Sequence, residues 1–150
     1  MENIRKGIST AFLLFGLLLM TQAQQASEPV AGEGINFHHG NWQSVLAKAK
    51  AEKKLIFVDA YAVWCGPCRM MAANTFPQKA VGDFFNANFI NYKFDMEQGE
   101  GPEFRAKYGV SAYPTLFFIN AEGKVVHKDL GYKTPEQLIQ TGTDAKAKKI

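Results

Sequence analysis

The 150-residue chain holds two cysteines, Cys65 and Cys68, within Trp64-Cys65-Gly66-Pro67-Cys68. A dithiol at this spacing can close into a small disulfide and reopen, so the residue types point to redox chemistry. The competing use of a lone pair in an oxidising compartment is a structural staple. A staple closing so small a loop restricts little of the unfolded chain, because the entropy removed grows with loop length. Reversible chemistry explains the pair better. Cys65, first in the chain and the less covered by this reading, is the expected nucleophile. Its thiolate attacks a disulfide, and Cys68 then attacks the Cys65 sulfur to release the product. This chemistry requires no metal or organic cofactor.

The flanking elements must place the sulfurs. Leu55 to Tyr61 is an apolar run interrupted only by Asp59, as in a strand buried on both faces. Pro67 suits the first turn of a helix continuing through Arg69, Met70, Met71 and Ala73. The Cys65–Cys68 spacing then sets both sulfurs on one helix face, at the end where free N–H groups favour a thiolate. Lowering a thiol pKa from about 8.5 to about 7 takes roughly 2 kcal/mol. A helix terminus supplies about 0.3–1 kcal/mol, so neighbouring hydrogen bonds must contribute. Gly66-Pro67 carries no cation, and Arg69 is expected to face solvent. Raising a centre from about −270 to about −120 mV needs roughly 7 kcal/mol more thiolate stabilisation, so a reductant-leaning centre is expected. Asp59, expected beneath the thiol-bearing helix, has its pKa raised by burial without a cation and suits a proton shuttle for Cys68.

Elsewhere, Ile35 to Phe37 reads as a short first strand, and Asn41 caps a helix carrying Trp42, Val45, Leu46 and Ala49. Pro77 stops or kinks the thiol-bearing helix before a second helical stretch with Val81, Phe84 and Phe85. Phe89 to Phe94 is a strand and Glu97 to Pro102 an acidic, Gly-bearing loop; a short helix follows from Phe104 to Tyr108. Thr115 to Ile119 and Lys124 to Lys128 form a hairpin, and Thr134 with Gln137 starts a last helix through a capping box. The order β-α-β-α-α-β-α-β-β-α predicts an α/β fold, a central mixed sheet with helices on both faces.

Residues 1–23 read as a secretory signal: Arg5 and Lys6, an apolar run from Ile8 to Met20, and a cleavage site after Ala23. That run falls short of the about 20 residues a spanning helix needs, so no stable membrane insertion is expected after cleavage. Residues 24–34 read as a linker, 35–141 as the folded domain and 142–150 as a basic tail. Export places the protein in the periplasm or outside the cell. The net charge of +3 is dispersed apart from Lys146, Lys148 and Lys149, which argues against nucleic-acid binding. A zinc site from Cys65, Cys68, His38 and His39 is disfavoured, because adjacent histidines rarely share one ion. Met70, Met71 and the phenylalanines are read as packing residues.

Two stretches carry a family resemblance. Val58-Asp59-Ala60-Tyr61-Ala62-Val63-Trp64-Cys65-Gly66-Pro67-Cys68 resembles the thioredoxin family, as does Lys107-Tyr108-Gly109-Val110-Ser111-Ala112-Tyr113-Pro114-Thr115. The resemblance implies a thioredoxin-like fold, a cis-proline at Pro114 facing the dithiol, and Tyr113 backbone pairing with an extended substrate. It further implies that Asp59 is the family's buried acid, that Lys93 matches the lysine near it, and that Gly131 lines the docking groove. Trp64, Gly66 and Pro67 complete the expected substrate-contacting set, with Trp64 as cover, platform or both. The break at Thr75-Phe76-Pro77, the longer loop 97–102 and the leader look more like exported bacterial members, including soluble domains of disulfide-bond reductases. The implied activity is exported thiol–disulfide oxidoreductase, acting as a monomer on disulfide-bearing proteins and re-reduced by a membrane thiol-electron donor. The alternative is a non-catalytic peptide-binding or chaperone module of the same fold.

Overall fold

The computed structural model describes residues 34–148. The expected signal segment 1–23 and nearly all of the linker lie outside the described residues. Helix α1 (Trp42–Glu52) starts where the Asn41 side chain accepts the Ser44 N–H, and ends at Lys53 in the left-handed region. There follow β1 (Leu55–Tyr61), α2 (Gly66–Asn74), α3 (Lys79–Asn88), β2 (Phe89–Asp95), α4 (Gly101–Tyr108), β3 (Thr115–Ile119), β4 (Val125–Leu130) and α5 (Pro135–Ala147). The sheet order is β2-β1-β3-β4, with β1 parallel to β2 and antiparallel to β3, and β3 antiparallel to β4. The chain thus forms the mixed sheet with helices on both faces that its element order predicts.

Central strand β1 distributes its side chains between two cores. Ile56, Val58 and Ala60 pack with Trp42, Phe94, Phe104 and Phe117 beneath α1 and α4. Leu55 and Phe57 pack on the other face with Met71, Phe85, Phe118 and Leu138 from α2, α3, β3 and α5. Asp59 shares this second face, because strand side chains alternate. α2, which carries the cysteines, covers that face.

Three expectations are corrected. The first strand is a single parallel bridge, Phe37 to Asn91. Its neighbours are held otherwise: Asn36 N–H donates to Asn86 Oδ1 at 2.9 Å and Ile35 N–H to the Phe76 carbonyl at 2.9 Å. α4 begins at Gly101, earlier than Phe104, because Pro102 is accepted in its first turn. α5 continues to Ala147, well past the boundary drawn at 141. Gly142 lies against the Phe84, Phe85 and Phe89 rings, and Ala145 is fully buried, so the helix has an apolar face to bury there. Its lysines are partnered: Lys146 donates to Asn88 Oδ1, and Lys148 meets His127 Nδ1. Among the described residues, no helix is long and apolar enough to cross a membrane.

Candidate active site

Cys65 and Cys68 are joined as a disulfide, with their Cα atoms 5.3 Å apart. Cys65 is the N-cap residue of α2, and Gly66 and Pro67 form its first turn. The Cys68 N–H points at Cys65 Sγ, 3.2 Å away. In the reduced protein the same donor is placed to stabilise a Cys65 thiolate, adding to the effect of the helix terminus. In the disulfide form the two cysteine residues are about equally covered, 3% and 4% exposed, so whole-residue burial does not set Cys65 apart as expected. Ala62, Tyr61 and Tyr113 pack around both. What separates them is position, since Cys65 alone accepts the helix-end N–H.

The Arg69 side chain does not point freely into solvent. Although the residue is exposed, its guanidinium donates to the Val63 carbonyl at 3.2 Å, which ties the start of α2 to the preceding turn. Met71 is fully buried, whereas Met70 is half exposed, contrary to the packing role expected of it. Val63, Trp64 and Leu130 are also exposed apolar residues. Val63, Trp64 and Met70 flank the cysteines in sequence, and Leu130 precedes Gly131.

The Tyr113–Pro114 peptide bond is cis. Tyr113 reaches Trp64 edge to face, with ring centroids 5.7 Å apart, and packs against the cysteines. The Pro114 carbonyl accepts the Gly131 N–H at 2.8 Å. Gly131 has φ +82°, and a Cβ there would project into open space, so the chain bends there without crowding the region beside Pro114. Gly66 likewise has nothing within 4 Å of a Cβ position. Trp64, Tyr113, the buried Pro114 and Gly131 are therefore linked in a chain of contacts, which Tyr113 joins to the disulfide.

Asp59 is 1% exposed, and among the described residues neither carboxylate oxygen has a hydrogen-bond partner. Read alone, the strand offers Asp59 no cation, whereas the family resemblance sets Lys93 near it; Lys93 Nζ lies 3.5 Å from Oδ2. Burial still outweighs that charge: it pushes the carboxyl up to about 6 from an ordinary 3.8, with Lys93 pulling the other way. His38 does not approach the cysteines as a ligand; its Nε2 is 3.3 Å from Ser44 Oγ. Sequence reasoning missed Glu97, whose Oε1 accepts the Trp64 indole N–H at 2.9 Å across the loop after β2. The acidity and added length of that loop were the available signal, but its partner could be seen only in three dimensions.

A disulfide at a helix N-terminus, a cis-proline whose preceding tyrosine packs against that disulfide, and a buried acid on the adjoining strand define the redox end of an α/β oxidoreductase domain. The family profile described as a thioredoxin-like domain matches residues 42–146, and the chain belongs to this family. Thioredoxin H4 of Arabidopsis thaliana is 38% identical over 103 residues, covering 67% of this chain and 80% of the relative. A thioredoxin of Staphylococcus epidermidis is 35% identical over 92 residues, covering 61% and 83%. The solution structure of a candidate disulphide-isomerase from Bacteroides thetaiotaomicron aligns with TM-score 0.69 and 41% identity, covering 79% of this chain and 98% of that one. The oxidised C-terminal domain of Neisseria meningitidis DsbD, at 23% identity and TM-score 0.58, covers 68% and 90% and shares the fold. The chain is a thioredoxin-like protein-disulfide oxidoreductase with its Cys-x-x-Cys pair at bonding distance.

Proposed function

We propose that this oxidoreductase is exported and works chiefly as a reductant of protein disulfides. The observation that carries this reading is how little positive charge supports Cys65. Its acceptor site is filled by one backbone N–H, while Arg69 is engaged with Val63 and Lys93 with Asp59. A strongly oxidising centre needs several kcal/mol more thiolate stabilisation, about 1.4 kcal/mol for each 30 mV.

The reaction begins from the reduced dithiol. A substrate chain lies along Tyr113 and Pro114, with Trp64, Gly66, Pro67 and Gly131 bordering it and Val63, Met70 and Leu130 extending the apolar contact. The Cys65 thiolate attacks one sulfur of the substrate disulfide. The bond between the substrate sulfurs breaks, and the departing sulfur leaves as a thiolate that takes a proton from solvent. Asp59, ionised near neutral pH because its pKa is about 6, accepts the Cys68 proton. The Cys68 thiolate then attacks Cys65 Sγ, displacing the second substrate sulfur as a thiolate that takes a proton from solvent; Asp59 gives up the proton it took, and the enzyme disulfide remains. A membrane thiol-electron donor outside the cytoplasm returns two electrons and two protons. The protein acts as a monomer in this scheme.

Dithiothreitol-driven reduction of insulin tests the activity: the protein accelerates it, and Cys65→Ser abolishes the acceleration. Equilibration against glutathione tests the direction. A potential near or below about −200 mV supports a reductant, and one above about −150 mV overturns it. Mass spectrometry of protein secreted by a bacterial host tests export, with a mature start at Gln24 expected and an intact leader refuting it.

A further inference from the structure

Lys93 stands directly across from Asp59 in the β1–β2 register. Its ammonium is enclosed by three aromatic rings, at 4.8 Å from the Tyr61 centroid, 5.2 Å from Phe76 and 5.3 Å from Phe37. All three fall within the about 6 Å over which a ring face attracts a cation. Tyr61 ends β1, Phe76 sits in the break between α2 and α3, and Phe37 lies on the segment 34–38 bordering β2. The last two segments are fastened together. Ile35 N–H donates to the Phe76 carbonyl at 2.9 Å, and the Phe37 and Phe76 rings meet edge to face at 5.4 Å. Gly34 approaches so closely that a Cβ would fall 2.0 Å from the Phe76 oxygen.

A lysine ammonium ordinarily extends into water on its flexible stem. Here the Lys93 side chain is only 29% exposed, and among the described residues its one ion-pair partner is a carboxylate with no hydrogen bond of its own. Among the described residues, the rings of Tyr61, Phe76 and Phe37 are the groups seen to line the ammonium besides Asp59.

We propose that Phe37, Tyr61 and Phe76 are positioning residues: they hold the Lys93 ammonium against Asp59 and so set the pH at which this carboxyl exchanges its proton with Cys68. The catalytic consequence rests on the shuttle role of Asp59 proposed above. Of the titratable groups on the elements packed around the pair, β1 contributes the Tyr61 phenol and the end of β2 contributes Asp95, which acts on that phenol. α2 contributes the two cysteines and Arg69, which is turned to Val63. β3 (Thr115–Ile119) and the break (Thr75 to Gln78) carry no titratable side chain: Leu116 stands opposite Asp59, and Thr75 and Pro77 flank Phe76. Segment 34–38 brings His38, whose ring is turned to Ser44. Without the rings the ammonium swings outward, the carboxyl loses its cation, and its midpoint rises.

Carbon-13 NMR of the Asp59 carboxyl in the oxidised protein reads that midpoint directly. Phe37→Leu and Phe76→Leu keep apolar volume while removing a ring, Phe76→Tyr restores the ring, and Lys93→Gln removes the cation. Each leucine variant is expected to raise the midpoint by about half a unit, a threefold change in proton affinity. Lys93→Gln should raise it further, and Phe76→Tyr should match the wild type. Leucine variants that titrate like the wild type overturn the proposal, as does an unmoved midpoint in Lys93→Gln. Should Phe76→Leu fail to fold, Phe37→Leu, at the sheet margin, decides alone. A raised midpoint with an unshifted pH profile of insulin reduction upholds the positioning role and refutes the shuttle.

Discussion

Replacing Asp59 with asparagine isolates what a buried carboxylate does to stability. Burial raises the folded-state pKa to about 6, against an ordinary 3.8. A difference of about 2 units corresponds to about 3 kcal/mol. The sign follows from which state binds the proton more tightly. Below about pH 3.8 the carboxyl is protonated in both states, and folding carries no penalty from it. As pH rises from there the unfolded chain ionises first, so the folded state loses stability until the folded carboxyl also ionises near 6. Above that, the whole penalty of about 3 kcal/mol remains. Asp59→Asn cannot ionise, so the stability difference between variant and wild type should grow by about 2 kcal/mol in the variant's favour between pH 4 and pH 7.5, the rest of the change falling below pH 4. The cost of burying an amide and the lost Lys93 pairing offset the curve without giving it this slope. Glu52, Asp129 and Glu136 have lowered pKa values, so they destabilise as pH falls; they are common to both proteins and cancel in the difference. Guanidinium unfolding of the oxidised forms across this range measures it. A difference constant to within about 0.5 kcal/mol would refute the claim that Asp59 is ionised at a cost in the folded protein.

Cys68→Ser should accumulate a mixed disulfide between Cys65 and a substrate, visible on non-reducing gels, whereas Cys65→Ser should trap none. Gly131→Val places a β-branched residue at φ +82°, which should cost about 1–2 kcal/mol in thermal unfolding and raise the insulin KM through a side chain beside Pro114. Thr134→Ala removes the hydroxyl that accepts the Gln137 N–H in the α5 capping box, with an expected loss of about 1 kcal/mol and unchanged insulin reduction. Glu97→Ala frees the exposed Trp64 indole, so tryptophan fluorescence should change while stability stays within about 0.5 kcal/mol.

Local chemistry made much of this molecule legible before its structure was seen. The apolar run around Asp59, proline after the first cysteine, and Thr134 with Gln137 specify strand, helix start and capping box through forces acting over a few residues. What escaped was long-range partnership. Asn86 and Asn91 intercept the chain at 34–37 with side-chain hydrogen bonds, so a segment with strand-like alternation makes one bridge. Glu100 accepts the Trp42 N–H, coupling the loop before α4 to the start of α1. The lysines near the C-terminus read as a solvated tail because Asn88 and His127, their partners, are distant in sequence.

The same consideration explains why chemistry and fold cannot be separated on β1. In a strand, a shift of one residue exchanges the two faces. The observed register sets Asp59 against Lys93 on one side and Leu116 on the other. A slip by one residue would turn Asp59 toward Trp42 and Phe94, away from the cation, and would turn Val58 or Ala60 toward α2. The unpaired buried carboxylate would then oppose folding more strongly than it does now. Ile56, Val58, Leu55 and Phe57 prevent that slip by filling both cores at once. The apolar residues that touch no substrate therefore determine which face of the sheet carries the acid, and so whether it lies beneath the helix that presents the thiols.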